Sequence, residues 1–526
     1  MKLSLLILTY WLIARAAKCQ GVSWYNVAVV EFELETNLSV SADERLAATI
    51  SRFIKTLNGL TEPLDLVIFP ESALASDDPD AATELPSLYD FLLCNSNDVG
   101  YAEFLKNLSC LAIDRQTVIV VNILEKSGDS FYNTDIALAA NGTVIARYRK
   151  WNLFGEIAKS KPSTLDLPVL ELKNTTFGFM TCFDILFGVP GFNLTRERSV
   201  KNIIFPLNWI SELPYLTALQ TQQMWASEHD VTLLAAGSNS PGRGAGGTGI
   251  YLGKKGALET IIAAGGGTRT IYRNVPIISG TGTNVILVNH TETDEIDSLA
   301  VEMDDFFTLV DAAIAEHASV VLDTTNLSGC ITVCHGRNDD VTCCDFDVSA
   351  LQDQIVASRN GDRYTYHLVA YNGVRSFSGV FFGGVEICAV VACLNESVAS
   401  CGRRFPDYSN IVWPITFEKI NVSGNFSQSE RRVQYPTSLL SSIRPIETRH
   451  TSWHREEVNG TTVLRTHTLE KAQNRLLTFG IYGRDFTRDR DPMRNESANG
   501  SISGQGGPNP DLSALLVLFI IAFIYV

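Results

Sequence analysis

The sequence predicts an α/β domain over residues 20–315, followed by a smaller β-rich domain over residues 316–486 that disulfides staple together. In the first part, short apolar runs alternate with longer helical patterns, which is typical of an α/β domain with covered sheets. In the second part, cysteines cluster and long helical periodicity is missing. A chain of 526 residues also exceeds what one hydrophobic core usually supports, so we expect two domains.

Local patterns give the elements of the α/β domain. Apolar residues 25–30 and 64–69 predict two buried strands. Residues 41–57 predict an amphipathic helix, because Ser41 can cap it and Glu44 stands three residues on, as in a capping box. Further strands are predicted over residues 118–123, 136–139, 144–148, 177–181, 203–205 and 231–236, and a second helix over residues 215–228.

The β-rich domain is predicted from short β-branched and aromatic runs at residues 364–371, 380–382 and 411–413. The polar residues 487–511 that follow predict a stalk. The formal net charge of −16 argues against a nucleic-acid partner, because binding to phosphates requires a basic surface.

Both ends of the chain carry processing signals. Residues 1–19 combine a basic start, an apolar stretch and small residues, which predicts a signal peptide. Residues 512–526 form a terminal apolar run that is shorter than the roughly 20 residues of a spanning helix. Small residues and a polar spacer precede this run, so the end predicts a GPI-attachment signal whose tail is removed; a short tail anchor is the alternative. The candidate attachment residues are Asn499, Gly500, Ser501 and Ser503.

Glycosylation sequons agree with export through the secretory pathway to the extracellular face of the cell membrane. The candidate acceptors are Asn37, Asn107, Asn141, Asn174, Asn193, Asn289, Asn326, Asn395, Asn421, Asn425 and Asn459. An oxidising compartment also predicts that most of the 11 cysteines form disulfides. The cysteines over residues 330–344 fit a zinc site as an alternative, but the exported context favours disulfides.

Three polar side chains follow predicted strands: Glu71, Lys150 and Cys182. Strand ends of an α/β domain converge on one face, which is where sites form. Each residue alone has a simpler interpretation. Glu71 can begin a helix, Lys150 can lie on the surface, and Cys182 can be an inert core thiol.

The order Glu, Lys, Cys resembles that of the nitrilase-like carbon–nitrogen hydrolases. The segments FPES at 69–72, RYRKWNLF at 147–154 and TCFDILF at 181–187 are similar to the biotinidase and vanin (pantetheinase) branch of that superfamily. The cysteine-rich segments at 334–346 and 386–402 are similar to the C-terminal domain of the same branch. The resemblance implies a nitrilase-like α-β-β-α sandwich for the first domain.

The resemblance also implies roles for these side chains. Cys182 would attack an amide carbonyl and form an acyl-enzyme, with Glu71 as the general base. Lys150 would stabilise the oxyanion, together with the backbone N–H of Phe183. Glu156 would orient Lys150 or the water, or else it is a solvent-facing carboxylate. This chemistry needs no metal and no other cofactor.

A nucleophilic Cys182 has to escape disulfide pairing. Nine cysteines then remain if Cys19 is cleaved off, so either one of them is unpaired or Cys19 is retained.

The implied reaction is hydrolysis of a linear small-molecule amide, with pantetheine giving pantothenate and cysteamine. A biotin-amide (biocytin) hydrolase is the nearby alternative. A non-catalytic surface binding protein on the same fold is another, and a cysteine protease would need a histidine near the thiol. The glycine-rich residues 238–251 predict a reshaped or mobile loop that bears on the substrate. The sequence does not predict an oligomeric state.

Overall fold

The computed structural model describes residues 23–34, 39–74, 78–89, 92–94, 96, 101–277, 293–323, 328–337 and 340–491. The predicted signal peptide, most of the stalk and the tail over residues 512–526 lie outside these residues. So do Asn37, Asn289, Asn326, Asn499, Gly500, Ser501 and Ser503. Within the described part of the chain, none of the helices is long and apolar enough to cross a membrane.

The α-helices of the described residues are α1 Ala42–Asn58, α2 Glu103–Arg115, α3 Ala218–His229, α4 Thr293–Glu302 and α5 Gln354–Ala357. The strands are β1 Trp24–Glu33, β2 Leu66–Ile68, β3 Val118–Ser127, β4 Ser130–Leu138, β5 Val144–Arg149, β6 Leu170–Leu172, β7 Thr175–Phe179, β8 Asn202–Leu207, β9 Glu212–Leu213, β10 Thr232–Asn239, β11 Thr248–Leu252, β12 Ala257–Ile261, β13 Arg269–Pro276, β14 Leu309–Val310, β15 Ala318–Val321, β16 Ser328–Arg337, β17 Asp340–Gln352, β18 Thr365–Phe377, β19 Phe381–Cys393, β20 Ile415–Ser427, β21 Arg432–Leu440, β22 Thr451–Asn459, β23 Thr462–Leu469 and β24 Leu476–Asp485.

Side-chain caps set where the two predicted helices begin. Ser41 and Glu44 form the expected capping box, so α1 begins at Ala42 as predicted. The second helix, α3, begins at Ala218 and not at residue 215. The reason is a second capping box, in which the backbone N–H of Thr217 donates to Gln220 Oε1 at 3.1 Å.

Six neighbouring strands of a twelve-stranded sheet run parallel, in the order β3-β2-β1-β10-β8-β7. Beyond β3, β4 and β5 pair antiparallel, so β5 again runs in the direction of β3. The carboxyl ends of β2, β5, β7 and β8 therefore lie along the same edge.

Apolar side chains form three packed layers around this sheet. On one side, Phe53 of α1 and Leu108 of α2 pack against strands β1 to β4. On the other side, Trp225 of α3 belongs to a cluster with β8 and β10. Between them, Ile68 from one half of the sheet and Ile204 from the other belong to a third cluster. This arrangement confirms the predicted α-β-β-α sandwich.

The C-terminal part contains two five-stranded antiparallel sheets, β15-β18-β19-β24-β21 and β16-β17-β20-β23-β22. The disulfide Cys344–Cys388 joins β17 of one sheet to β19 of the other. Three more disulfides in the described residues are Cys94–Cys110, Cys334–Cys343 and Cys393–Cys401. The β-rich, disulfide-stapled part is thus confirmed, and the clustered Cys334, Cys343 and Cys344 are disulfide-bonded and not zinc ligands.

Two sequence expectations about local structure are wrong. Residues 411–413 lie outside the strands, and Trp413 instead stacks on Tyr364 with ring centroids 5.5 Å apart. The glycine-rich residues 238–251 form the end of β10, a short turn and most of β11. A Cβ at Gly247 would lie 2.6 Å from the Cβ of Ala218, so this glycine allows close packing and does not mark a mobile loop.

The two parts of the chain share contacts around α3. Gln220 Nε2 donates to Thr437 Oγ1 at 2.9 Å, and Thr478 Oγ1 donates to the carbonyl of Pro214 at 3.0 Å. Trp453 Nε1 donates to Glu228 at 2.6 Å. The boundary between residues 315 and 316 stays a prediction.

The described glycosylation candidates differ in exposure. Asn193 and Asn421 are half-buried, and Asn193 donates to Glu197 at 2.9 Å. The exposed candidates are Asn107, Asn141, Asn174, Asn395, Asn425 and Asn459. Their modification stays a prediction.

Candidate active site

The three side chains selected at strand ends meet at one edge of the large sheet. Glu71 follows β2, Lys150 follows β5 and Cys182 follows β7. All three are buried, with exposed fractions of 3%, 2% and 6%. Their side chains line the same cavity. The sequence predicted this convergence correctly.

Lys150 lies between two carboxylates. Its Nζ donates to Glu71 Oε1 at 2.7 Å and to Glu156 Oε1 at 2.6 Å. Burial alone lowers the pKa of Lys150, but the charges of Glu156 and Glu71 outweigh it, and the pKa lies well above its usual value. Lys150 therefore carries a fixed positive charge in a desolvated place.

Glu156 belongs to this network, with its side chain 13% exposed, and is not a solvent-facing carboxylate. Its Oε2 accepts from Lys159 Nζ at 3.1 Å as well as from Asn133. Burial raises the pKa of Glu156, yet Lys150 and Lys159 together lower it to about 2. Glu156 is therefore ionised at neutral pH and can hold Lys150 in place.

Asn133 connects the two carboxylates, and the sequence reasoning missed it. Its Nδ2 donates at 2.8 Å to Glu71 Oε1 and at 2.8 Å to Glu156 Oε2. Asn122 Nδ2 in turn donates to Asn133 Oδ1 at 2.6 Å, which fixes the orientation of the amide. The available signal was Asn122 inside the apolar start of β3, whereas Asn133 has the polar neighbours Thr134 and Asp135 in β4 and does not stand out.

Cys182 stands at a constrained turn between β7 and a short 3-10 helix, Cys182–Leu186. Its φ of 44° lies in the left-handed region, which is uncommon for a residue with a side chain. The thiol makes no disulfide, as predicted, and lies 3.6 Å from the carbonyl oxygen of Asn208. Among the described cysteines, Cys330 is also free of a disulfide, and it is exposed. Cys19 lies outside the described residues, so the expectation of either one unpaired cysteine or a retained Cys19 stays a prediction.

The resting thiol is neutral. Burial, followed by the nearby charge of Glu71, raises the pKa of Cys182 well above its usual value, and Lys150 lowers it only in part. Glu71 lines the same cavity as the thiol. Its Oε2 accepts from the backbone N–H of Asn208 at 3.0 Å, so the carboxylate is held on both sides.

Buried polar groups anchor the turn that carries Cys182. Thr181 Oγ1 donates to Asp135 at 2.6 Å, and Tyr148 OH donates to Asp184 at 2.6 Å. Asp184 also accepts from the backbone N–H of Thr181 at 3.0 Å and of Asn152 at 2.8 Å. These bonds tie the turn to β4 and β5, and so to the strands that carry Asn133 and Lys150.

The cavity has a volume of about 220 Å³, a polar end formed by the network above and aromatic walls. Phe183 contributes its side chain to these walls, with ring centroids 4.9 Å from Phe154 and 6.0 Å from Phe377. Phe377 and Ser378 come from the end of β18 and the turn after it, so the C-terminal part completes the cavity. The sequence reasoning did not anticipate this contribution.

One group in the described residues has metal-like spacing, His367 with Cys393 and Cys401. The two cysteines form a disulfide with each other and therefore offer no thiolate ligand. The group lies away from the cavity described above, on β18 and β19 and the turn that follows.

Family models match both parts of the chain. A model described as carbon-nitrogen hydrolase matches residues 26–237, and one described as Vanin C-terminal domain matches residues 306–489. Vanin-like protein 1 of Drosophila melanogaster is 31% identical over 494 residues, which cover 89% of this chain and 86% of that protein. Pantetheinase of Homo sapiens is 25% identical over 513 residues, 90% of this chain and 91% of that protein.

Among solved structures, an amidase from Nesterenkonia sp. matches 48% of this chain and 91% of its own chain, with 17% identity and a TM-score of 0.38, too low to bear on function. The sequence matches carry the conclusion, because they extend over most of both chains. This chain belongs to the vanin-like carbon–nitrogen hydrolases, and it is a hydrolase of amide carbon–nitrogen bonds.

Proposed function

We propose that this hydrolase cleaves a linear amide of the pantetheine type through an acyl-enzyme on Cys182, with Glu71 as the base and Lys150 as the oxyanion stabiliser. One observation carries the proposal. The unpaired Cys182 lines one cavity together with Glu71 and Lys150, and Lys150 Nζ donates to Glu71 Oε1 at 2.7 Å.

Thiol activation is coupled to attack in this mechanism. Because the pKa of Cys182 lies well above its usual value, the thiol has to lose its proton as sulfur attacks. Glu71 accepts that proton, gives it to the departing amine, and then takes a proton from the hydrolytic water. The bonds from Lys150 and from the Asn208 N–H hold the Glu71 carboxylate in one orientation during both halves of the reaction.

The tetrahedral intermediate carries a negative oxygen that needs donors. Lys150 supplies a positive charge held by Glu71 and Glu156. Phe183 is the second residue of the 3-10 helix, and first-turn N–H groups of a helix have no intrahelical acceptor, so this N–H can donate. Removing a single such donor typically costs about 3–4 kcal/mol in the transition state.

The substrate class rests on the relatives and on the cavity. Several relatives at 25–28% identity are named pantetheinase, from human, dog, pig, mouse and cattle. The cavity joins a charged end to aromatic walls, which suits a linear amide with an extended acyl group. Biocytin remains the nearby alternative, because Glu71, Lys150 and Cys182 would serve either amide.

Export and membrane anchoring belong to the same proposal. The four disulfides agree with an oxidising compartment, where such bonds persist. We infer from the sequence that residues 1–19 direct export and that a GPI anchor replaces the tail after one of the candidates at residues 499–503.

The test uses the mature chain truncated before Ser501, with Cys330→Ser introduced so that an alkylating probe reports Cys182. Release of cysteamine from pantetheine is measured beside release of lysine from biocytin, with Cys182→Ala as the control. Cleavage of pantetheine that disappears in the control is the expected result. Cleavage of biocytin alone would refute the pantetheine-type substrate and favour a biotin amide. An unreactive Cys182, together with no cleavage of either amide, would refute the mechanism.

A further inference from the structure

Glu212 lines the cavity but takes no part in the mechanism above. It begins β9, which pairs parallel with β14, and its side chain is 10% exposed. Its Oε1 accepts from Arg375 Nη2. Within the part of the chain that the structure describes, no side chain or backbone group donates to Oε2. One carboxylate oxygen is thus held, and the other is left to the cavity.

Arg375 fixes Glu212 from the C-terminal part of the molecule. It is fully buried on β18, and its guanidinium also donates to Asp311 Oδ2 at 2.9 Å and to the carbonyl of Ser376 at 3.2 Å. A guanidinium only donates hydrogen bonds, so it orients any acceptor placed against it. Asp311 shares the same arginine but does not line the cavity, and its Oδ1 accepts from the Ala313 N–H at 2.8 Å.

A carboxylate oxygen beside aromatic walls discriminates between ligands. When a substrate displaces water from Oε2, the oxygen loses its hydrogen bonds unless the substrate donates one in return. A site built to bond a hydroxyl or N–H rejects analogues that lack it much more strongly than an apolar pocket rejects a change of size. By the same reasoning, Glu212 would favour ligands that donate a hydrogen bond to Oε2 over ligands that cannot.

We propose that Glu212 is a specificity residue that accepts a hydrogen bond from a hydroxyl or amide N–H in the acyl part of the substrate. Arg375 is the positioning residue that holds it. The inference rests on the proposed function and deepens it. The pantothenoyl group carries both hydroxyls and an amide N–H, whereas a plain fatty acyl group of the same length carries neither.

Glu212→Gln tests this role with little change of shape. Because Arg375 only donates, the amide oxygen of the glutamine has to face Arg375, and its NH₂ then faces the cavity. The acceptor becomes a donor relative to the ionised carboxylate, and because burial raises the pKa of Glu212 to about 7, the two proteins are compared well above pH 7. We expect kcat/KM for pantetheine to fall by about 10- to 100-fold, while kcat/KM for N-octanoylcysteamine stays unchanged. Asp311→Asn is the matched control, since it removes the other carboxylate on Arg375 and should leave the ratio of the two substrates as it is.

Two outcomes of the kinetic experiment would overturn the role. One is an equal fall of kcat/KM for both amides in Glu212→Gln, and the other is the same loss of selectivity in Asp311→Asn. Either would mean that Glu212 serves only as the structural partner of Arg375. Wild-type enzyme that does not distinguish the two amides would overturn it as well, without depending on any variant.

Binding separates this inference from the proposed function. Calorimetry measures the affinity of both amides for Cys182→Ala, with and without Glu212→Gln, and requires no turnover. A selective loss of pantetheine affinity of about tenfold or more supports the Glu212 role even if the wild type turns over neither amide, a result that would refute only the proposed function. Equal affinities for the two amides in all variants would refute the Glu212 role even if pantetheine is cleaved.

Discussion

Replacing Glu156 with glutamine tests whether the buried network sets the activity. Glu156 accepts at one oxygen from Lys150 at 2.6 Å and at the other from Asn133 at 2.8 Å and Lys159 at 3.1 Å. A glutamine has the same size but only one accepting oxygen. Its NH₂ must therefore face either Lys150 or the pair Asn133 and Lys159, all of which are donors.

The expected loss follows from these contacts. A hydrogen bond to a charged group contributes about 1.5–3 kcal/mol. Glu71 remains bonded to Lys150 at 2.7 Å, so the buried ammonium keeps one partner and the larger penalty for an unpaired buried charge does not apply. We take the loss of transition-state stabilisation as about 2 kcal/mol, which corresponds to a fall of about 30-fold in kcat.

Steady-state kinetics on the amide substrate check this value. Because the role proposed for Glu156 is to hold Lys150 and not to bind the acyl group, KM should change little while kcat falls. Glu103→Gln is the control, since Glu103 is exposed on α2 and undergoes the same chemical change. A kcat equal to that of the wild type, or a raised KM with unchanged kcat, would refute the role given to Glu156.

Three further predictions follow from particular contacts. Asn133→Leu removes the donor shared by Glu71 and Glu156, so kcat should fall by about tenfold or more in the same assay with the fold retained; an unchanged kcat would contradict it. The pKa of Glu156 is lowered from 4.5 to about 2 in the folded state, so its carboxylate stabilises the fold above pH 4.5 and this contribution is lost as the pH falls toward 2. In urea denaturation, the free energy of unfolding should therefore fall less steeply with decreasing pH in Glu156→Gln than in the wild type. Equal slopes in the two proteins would rule out this linkage. Cys388→Ser removes the disulfide between the two C-terminal sheets and should lower the free energy of unfolding by about 2–4 kcal/mol, whereas Cys330→Ser should not; equal urea midpoints would refute it.

The sheet edge that carries Glu71, Lys150 and Cys182 was predictable from the sequence, because its geometry follows from strand direction. Glu71, Lys150 and Cys182 each stand within a few residues of a strand end, and strands β2, β5 and β7 all point the same way. Parallel strands buried on both faces also give continuous apolar runs that are easy to find in a sequence. The order of the layers and the position of this sheet edge could therefore be inferred from the sequence alone.

Contacts between distant segments could not be predicted in this way. Asn133 lies in β4 next to Thr134 and Asp135, so nothing in the sequence distinguishes it, and its partners are 62 and 23 residues away along the chain. The glycine-rich residues 238–251 gave the wrong expectation for a related reason. A glycine in a sequence indicates either conformational freedom of the backbone or close packing against a neighbour. At Gly247 it is close packing, and this is visible only from the contact with Ala218 of α3.

The cavity explains why the proposed catalytic residues alone do not identify the substrate. In the proposed mechanism Glu71, Lys150 and Cys182 act on the scissile amide, which all amide substrates share. The cavity is also lined by Phe377 and Ser378 from the C-terminal part and by Glu212, which Arg375 of β18 bonds, and in the proposal the acyl group meets these residues. These residues can change without altering the network around Lys150. We therefore expect substrate choice to be set largely where the two parts of the chain meet, about which the sequence motifs around Glu71, Lys150 and Cys182 carry no information.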